Sequence, residues 1–200
     1  ATGNSIKGIF AGGNNPSNTN TNVIQQFVQS SLGNCVDFGD LLGVQKKSAP
    51  SQSPTRGLIA GGDEGPSDVI QYITFATMGN ATDFGDLVIA QEFLGGNSNS
   101  TRGIFAGGGL PSVSNTIQYV TIASTGNATD FGDLTQARQG CRGASNTTRC
   151  VFMGGQSPST VNTIDYVTIG STGNATDFGD LTYTNTAGAG GNSNGHGGLA

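Results

Sequence analysis

The sequence predicts an all-β protein built from four copies of one four-stranded unit. Three observations carry that expectation. The string D-F-G-D-L occurs four times, with its phenylalanine at Phe38, Phe84, Phe131 and Phe178. No window of a dozen residues shows the 3.6-residue apolar period of a helix, whereas β-branched residues cluster in short runs. The 34 glycines, with many Asn, Ser and Thr, supply turns, and hydrophobic residues at 34% are numerous enough for a core.

The repeat takes precedence over the motif inside it. In a protein kinase the D-F-G aspartate holds magnesium, but there it occurs once, among a glycine-rich loop, a strand lysine and a catalytic loop. Four spaced copies mark a repeat architecture. The glycine-led segments resembling "TRGIFAGG" start at Gly8, Gly57, Gly103 and, with cysteine in the glycine position, Cys150, at intervals of 49, 46 and 47 residues. From Ile24, Ile70, Ile117 and Ile164 to the motif phenylalanine the step is always 14, and from that phenylalanine to the next glycine-led segment it is 19. All length variation falls in the segments 14–22, 63–68, 109–115 and 156–162, of 9, 6, 7 and 7 residues. The constant parts read as scaffold and the variable part as a loop.

Four strands are expected per unit, in chain order. "RGIFAGG" comes first, its glycines allowing close backbone approach and the turn that follows. "NTIQYVTIAST" is β-branched and closes in Thr-Gly-Asn, which is turn chemistry. "ATDFGDLT" is third. "QARQGCRGASN" is fourth and less apolar, leading through an Asn/Ser/Thr hairpin to the next unit. The units run approximately 6–54, 55–100, 101–147 and 148–195, with the start of a fifth at 196–200, where His196 takes the arginine position. The expectation is therefore a single domain over 1–200 that is a segment of a longer array, four blades being the alternative. In "TIDYVTIG", Ile164 and Tyr166 lie on one face and Val167 and Ile169 on the other, so the sheet needs a neighbour on each side.

Four-stranded units of about 47 residues, buried on both faces, match the blades of a β-propeller. The glycine pair ending one strand, the tyrosine in the next, the aromatic-leucine turn and the basic residue before the hairpin resemble the kelch repeat over the whole chain. Phenylalanine stands where kelch blades usually carry tryptophan. In this reading Phe38, Phe84, Phe131 and Phe178 pack between blades, and Asp83, Asp130 and Asp177 cap turn amides. Asp86, Asp133 and Asp180 pair with the recurring cations Lys7, Arg56, Arg102 and Arg149 as partly buried ion pairs. Calcium held by clustered carboxylates is the competing reading.

Net charge is −5, and eight of the thirteen acids lie in the D-F-G-D motifs. No basic patch points to nucleic acid, no apolar run is long enough for a membrane helix, and the chain opens at Ala1 without a signal-peptide pattern. No cofactor or metal is implied: the spacing of Cys35, Cys141 and Cys150 fits no zinc site. Cys141 and Cys150 flank an expected hairpin, so they either form a disulfide or stay as packed thiols. Catalysis finds no anchor, since His196 is the only histidine and lies in a Gly/Asn/Ser-rich tail. "AGAGGNSNG" lacks the Gly-Lys-Ser/Thr of a phosphate loop. Asn80, Asn99, Asn127, Asn146 and Asn174 sit in glycosylation-type triplets, which turn-forming asparagine in a Thr-rich chain also produces.

Runs such as "YVTIASTGNATDFGDLTQAR" followed by "TRGIFAGG" resemble repeat regions of virion structural and tail-fibre-like proteins of marine bacteriophages, closely over 55–182 and more loosely over 1–54. That resemblance implies a non-catalytic particle component, virion-borne or extracellular, whose partners are other virion proteins or host surface polysaccharide or protein. The variable loops are expected on one face, giving Asn15, Ser17, Asp63, Glu64, Pro111, Ser112, Ser157 and Ser159 a shared rim for such contacts; solvated loop without a special use is the plain alternative. The competing functional classes are a glycan-acting hydrolase or lyase on a propeller scaffold and a pure protein–protein assembly platform.

Overall fold

The computed structural model of the chain describes residues 1–62 and 65–185. Among them there is no helix, and the strands form four antiparallel sheets. Sheet 1 holds β1 (Thr2–Gly3), β2 (Lys7–Ala11), β3 (Val23–Val28) and β4 (Val36–Asp40). Sheet 2 holds β5 (Ala49–Gln52), β6 (Arg56–Ala60), β7 (Ser67–Thr74) and β8 (Thr82–Gln91). Sheet 3 holds β9 (Gly95–Ser98), β10 (Arg102–Ala106), β11 (Thr116–Thr121) and β12 (Thr129–Asp133). Sheet 4 holds β13 (Arg142–Ser145), β14 (Arg149–Met153), β15 (Gln156–Ser157), β16 (Ser159–Thr168) and β17 (Thr176–Asn185). Strands pair in chain order, except that the short β15 folds back on β16, which itself lies between β14 and β17.

The sheets run one strand out of step with units counted from the glycine-led strand. "QARQGCRGASN" supplies β13, which pairs with the glycine-led strand that follows it, Ser145 opposite Cys150 and Arg142 opposite Met153. Turn chemistry explains this. The Asn146 side chain accepts from the N–H groups of Thr148 and Arg149, closing a tight hairpin into β14. Asn99 does the same for Thr101 and Arg102, and Asn4 for Ile6 and Lys7. The register also decides between the two cysteine expectations. Cys141 lies four rungs from Ser145, the partner of Cys150, which is ~13 Å along the strands and beyond disulfide reach. Both are buried free thiols, and Cys35 is an exposed one.

Three apolar clusters lie between the sheets, one per neighbouring pair. Ile9, Ile24, Phe38 and Leu41 of sheet 1 and its exit meet Ile59, Ile73, Phe75 and Ala81 of sheet 2. Leu58, Ile70, Phe84 and Leu87 meet Leu94, Phe105, Val120 and Ile122. Ile104, Ile117, Phe131 and Leu134 meet Cys141, Phe152, Val167 and Ile169. Leu58 and Ile59, adjacent in β6, enter different clusters, as the two-residue alternation of a strand requires. The first strands of successive sheets also touch, β1 against β5, β5 against β9 and β9 against β13. The Ala1 ammonium has a lowered pKa, through burial first and the Arg142 charge second, so the chain start lies within electrostatic reach of sheet 4.

A β-bulge recurs at one position in all four sheets. Gly39 pairs with Ile24 and Asp37 with Gln25, leaving Phe38 as the extra residue, and the same shift occurs at Phe84, Phe131 and Phe178. The following glycines, Gly39, Gly85, Gly132 and Gly179, have φ of 147°, 141°, 142° and 133°, a region that side chains avoid. The D-F-G sequence is thus a bulge that aims a phenylalanine out of its sheet.

Candidate functional site: repeated seams and a variable rim

The junction between neighbouring sheets uses the same contacts three times. The Gly79 and Ala81 N–H groups in sheet 2 donate to the Phe38 and Asp40 carbonyls of sheet 1, each at 2.8 Å, and the Asn80 side chain accepts from the Asp40 N–H at 3.0 Å. Gly126, Asn127 and Ala128 repeat this on Phe84 and Asp86, and Gly173, Asn174 and Ala175 on Phe131 and Asp133. The G-N-A turn of each sheet is therefore docked on the F-G-D bulge of the sheet before it. A side chain at Gly85 would meet the Gly126 carbonyl at 2.5 Å, so this glycine is needed for the close approach as well as for its backbone angle. Three of the asparagines in glycosylation-type triplets are thereby seam residues.

The recurring cations also cross the seam, but not to carboxylates. Lys7 Nζ donates to the Phe75 carbonyl at 2.8 Å, Arg56 Nη1 to Ile122 at 2.9 Å and Arg102 Nη1 to Ile169 at 2.7 Å. The guanidinium groups of Arg56, Arg102 and Arg149 lie over Tyr72, Tyr119 and Tyr166 at 4.6–4.7 Å from the ring centroid. Each tyrosine meets its motif phenylalanine edge-on. Among the described residues no ion pair joins these cations to Asp86, Asp133 or Asp180: Lys7, Arg56 and Arg102 each donate to a carbonyl of the neighbouring sheet, and Arg149 is exposed on Tyr166. Asp86, Asp133 and Asp180 serve through their backbone or lie exposed, and of the expected turn caps Asp177 accepts from the Gly179 N–H at 3.2 Å. Among the described residues no group of three or more His, Cys, Asp or Glu side chains is arranged to hold a metal ion.

A polar pair lies buried in each seam. Gln71 Nε2 donates to Gln45 Oε1 at 2.6 Å, while its Oε1 accepts from the Leu42 N–H. In the second seam the matching positions hold buried Gln118, which accepts from the Val88 N–H, and buried Gln91, whose Oε1 makes no hydrogen bond. In the third seam the equivalents are Arg138 and Asp165, both 0% exposed, with Nη1 and Oδ2 2.8 Å apart. Asp165 also accepts from the Thr135 hydroxyl at 2.6 Å and N–H at 3.2 Å, and Arg138 Nη2 donates to the Phe152 carbonyl. Nε and Nη1 of Arg138 make no hydrogen bond, so the 2.8 Å contact is an ion pair rather than a hydrogen-bonded bridge.

The variable segments follow the second strand of each sheet and root on the linkers that leave the fourth. Gly13 donates to the Gln45 carbonyl, Gly62 to Gln91 and Gly108 to Arg138, which puts loops and linkers on one face. The linkers hold each other too, through Phe93 N–H to Lys47 C=O, Gly140 N–H to Phe93 C=O, and the Lys47–Glu92 salt bridge at 2.9 Å. Asn15 is exposed and folds its own loop, its side chain accepting from the Ser17 and Thr19 N–H groups. Ser17, Pro111, Ser112 and Ser159 are exposed, and half-buried Ser157 pairs with Ser159 across the β15–β16 turn. Asp63 and Glu64 lie outside the described residues, as does His196. Beside this rim a groove of about 240 Å³ is lined by Leu42, Val44 and Gln45 of one linker and Ser67, Val69 and Gln71 of sheet 2.

No protein-family model matches the chain, and no curated protein matches its sequence.

Proposed function

We propose that the chain is a non-catalytic module of kelch-like β-propeller type, its sheets serving as blades, and that it works on a phage particle as a structural or host-adsorption component. The observation that carries this reading is the division of labour along the chain. Three seams repeat the same turn-on-bulge contacts, cation bridges and phenylalanine wedges, while the loops after the second strands alone change length. A rigid scaffold with its variation confined to one loop-bearing face is the arrangement of a recognition module. The groove beside the rim, with half-exposed Leu42 and Val44, offers an apolar floor next to Ser67 and the loop that precedes it. Surface polysaccharide or protein of the host, or another virion protein, is the partner class that follows from the resemblance of the repeats to phage structural proteins.

The test is a loop exchange. A fluorescent form of the protein is titrated onto intact marine cyanobacterial cells, and onto a second batch stripped of surface polysaccharide. Replacing 156–162 or 109–115 by a Gly/Ser segment of equal length is expected to weaken cell binding at least about tenfold with the fold intact by circular dichroism. Binding that is unchanged by both exchanges would remove the recognition role.

A further inference from the structure

The three seams have a direction, and among the described residues both ends of the stack lack the partner that every internal sheet has. Each sheet shows one face with a wedge, formed by the F-G-D bulge and the cation, and one face with a docking turn, formed by G-N-A in sheets 2 to 4 and by Gly33, Asn34 and Cys35 in sheet 1. In sheet 4 the wedge face is uncovered. Phe178 is 55% exposed, against 2–3% for Phe38, Phe84 and Phe131. A side chain added at Gly179 would meet nothing within 4 Å, whereas at Gly39, Gly85 and Gly132 it would strike the following turn. Arg149 still stacks on Tyr166 but is exposed. In sheet 1 the docking face is uncovered. Phe10 is 54% exposed, while its counterparts Ile59, Phe105 and Phe152 are at most 3% exposed. Gln25, the counterpart of buried Gln71, Gln118 and Asp165, is exposed, and so is the whole turn Leu32–Cys35.

We infer that these two faces are the halves of a fourth seam, and that the wedge face of sheet 4 docks on the turn face of sheet 1 in a second copy of this chain. The internal seams specify the contacts. The Gly33 and Cys35 N–H groups would donate to the Phe178 and Asp180 carbonyls, and the Asn34 side chain would accept from the Asp180 N–H. Arg149 would donate to the Gln29 carbonyl, which holds the position of Phe75, Ile122 and Ile169. Phe178 would pack against Phe10 and Phe27, whose rings already lie 6.0 Å apart on the open face. The occupant is named by continuity: three interfaces of this kind exist in the molecule, and each joins these same two surfaces. The contact is heterologous, so it generates a ring if the rotation closes and a filament if it does not. Two copies closed on each other contain eight sheets, the upper end of the usual propeller range. The inference rests on the seam geometry and is independent of what the variable rim binds.

Sedimentation velocity of the 200-residue chain across a wide concentration range is the test. Association beyond monomer is expected, with Phe178→Asp and Phe10→Asp each weakening it at least about tenfold; both positions are half exposed in the single chain, so both variants should fold. Cys35 reports the contact directly, because association should slow its alkylation while Cys141 and Cys150 stay unreactive throughout. In an Asp180→Cys variant a short thiol-specific cross-linker should join Cys35 of one copy to position 180 of another. A chain that stays monomeric at every concentration would leave these faces to some other sheet, such as further repeats in a longer polypeptide, and would overturn the inference. So would association that survives both aspartate substitutions with Cys35 still freely alkylated.

Discussion

Replacing Asp165 by asparagine removes one charge from the third seam and almost nothing else. The amide oxygen still accepts from Thr135, and the volume barely changes. The Arg138 guanidinium, 0% exposed, then keeps its hydrogen bond to the Phe152 carbonyl but loses its only salt-bridge partner among the described residues. Leaving a buried charge uncompensated costs about 3–5 kcal/mol. For a chain of this length that lowers Tm by roughly 6–20 °C. The protein carries its own control, since the hydrogen-bonded Gln45–Gln71 pair fills the same position in the first seam. The double variant Arg138→Gln/Asp165→Gln should therefore stay within about 2 kcal/mol of the parent, because exchanging a buried ion pair for a neutral pair is often near neutral. Urea unfolding followed by circular dichroism gives these stabilities and, with Arg138→Gln and Asp165→Gln alone closing the cycle, a coupling energy expected to exceed about 2 kcal/mol. A single substitution costing less than about 1 kcal/mol, or a double variant as damaged as the sum of the singles, would refute the reasoning.

Two further predictions use the repeat as its own reference. Phe84→Ala and Phe131→Ala each should cost about 3–5 kcal/mol, whereas Phe178→Ala should cost about 1 kcal/mol or less in the monomer, a contrast that denaturant midpoints would show. Burial raises the pKa of the Cys141 and Cys150 thiols above the ordinary 9.0. The folded chain therefore holds these protons after the unfolded chain has released them. Stability is fully present below pH 9 and falls as pH rises beyond it, by up to about 1.4 kcal/mol per pH unit for each thiol. Unfolding measured at several pH values from 8 to 11, in the parent and in Cys150→Ala, should show the slope reduced in the variant; equal slopes would be evidence against it.

The constant steps of 14 and 19 residues correctly marked the scaffold, because the bulge and the hairpin each fix a geometry that tolerates no added residue. The wedge role of phenylalanine was legible for the same reason: a ring recurring at fixed distance from an apolar strand must meet a recurring partner. Phe178 departs from its copies only because no fifth sheet covers it among the described residues. Counting units from the glycine-led strand hid the sheet phase, although the fourth-strand segment ends just before the next glycine-led strand and the Asn-capped turn joins the two. The arginine partners were misread because carboxylates are the expected company of a cation, whereas carbonyls at a strand end leave no trace in side-chain identity. The Arg138–Asp165 pair did leave a signal. Aligning the units shows Gln, Gln, Arg at one position and Gln, Gln, Asp at the other, so both depart from glutamine in the same seam. Twenty-seven residues of separation concealed it.

The docking turn has a consequence for how such a chain can change over generations. Each G-N-A turn consults only the bulge before it, so no unit registers how many others stand further along. A gene segment encoding 46 or 47 residues, duplicated or lost between two phenylalanine codons, would join compatible faces and leave every remaining junction as it was. Recombination between near-identical copies produces such events readily. The number of units is thus a trait that can drift, or be selected, without any new interface having to be invented.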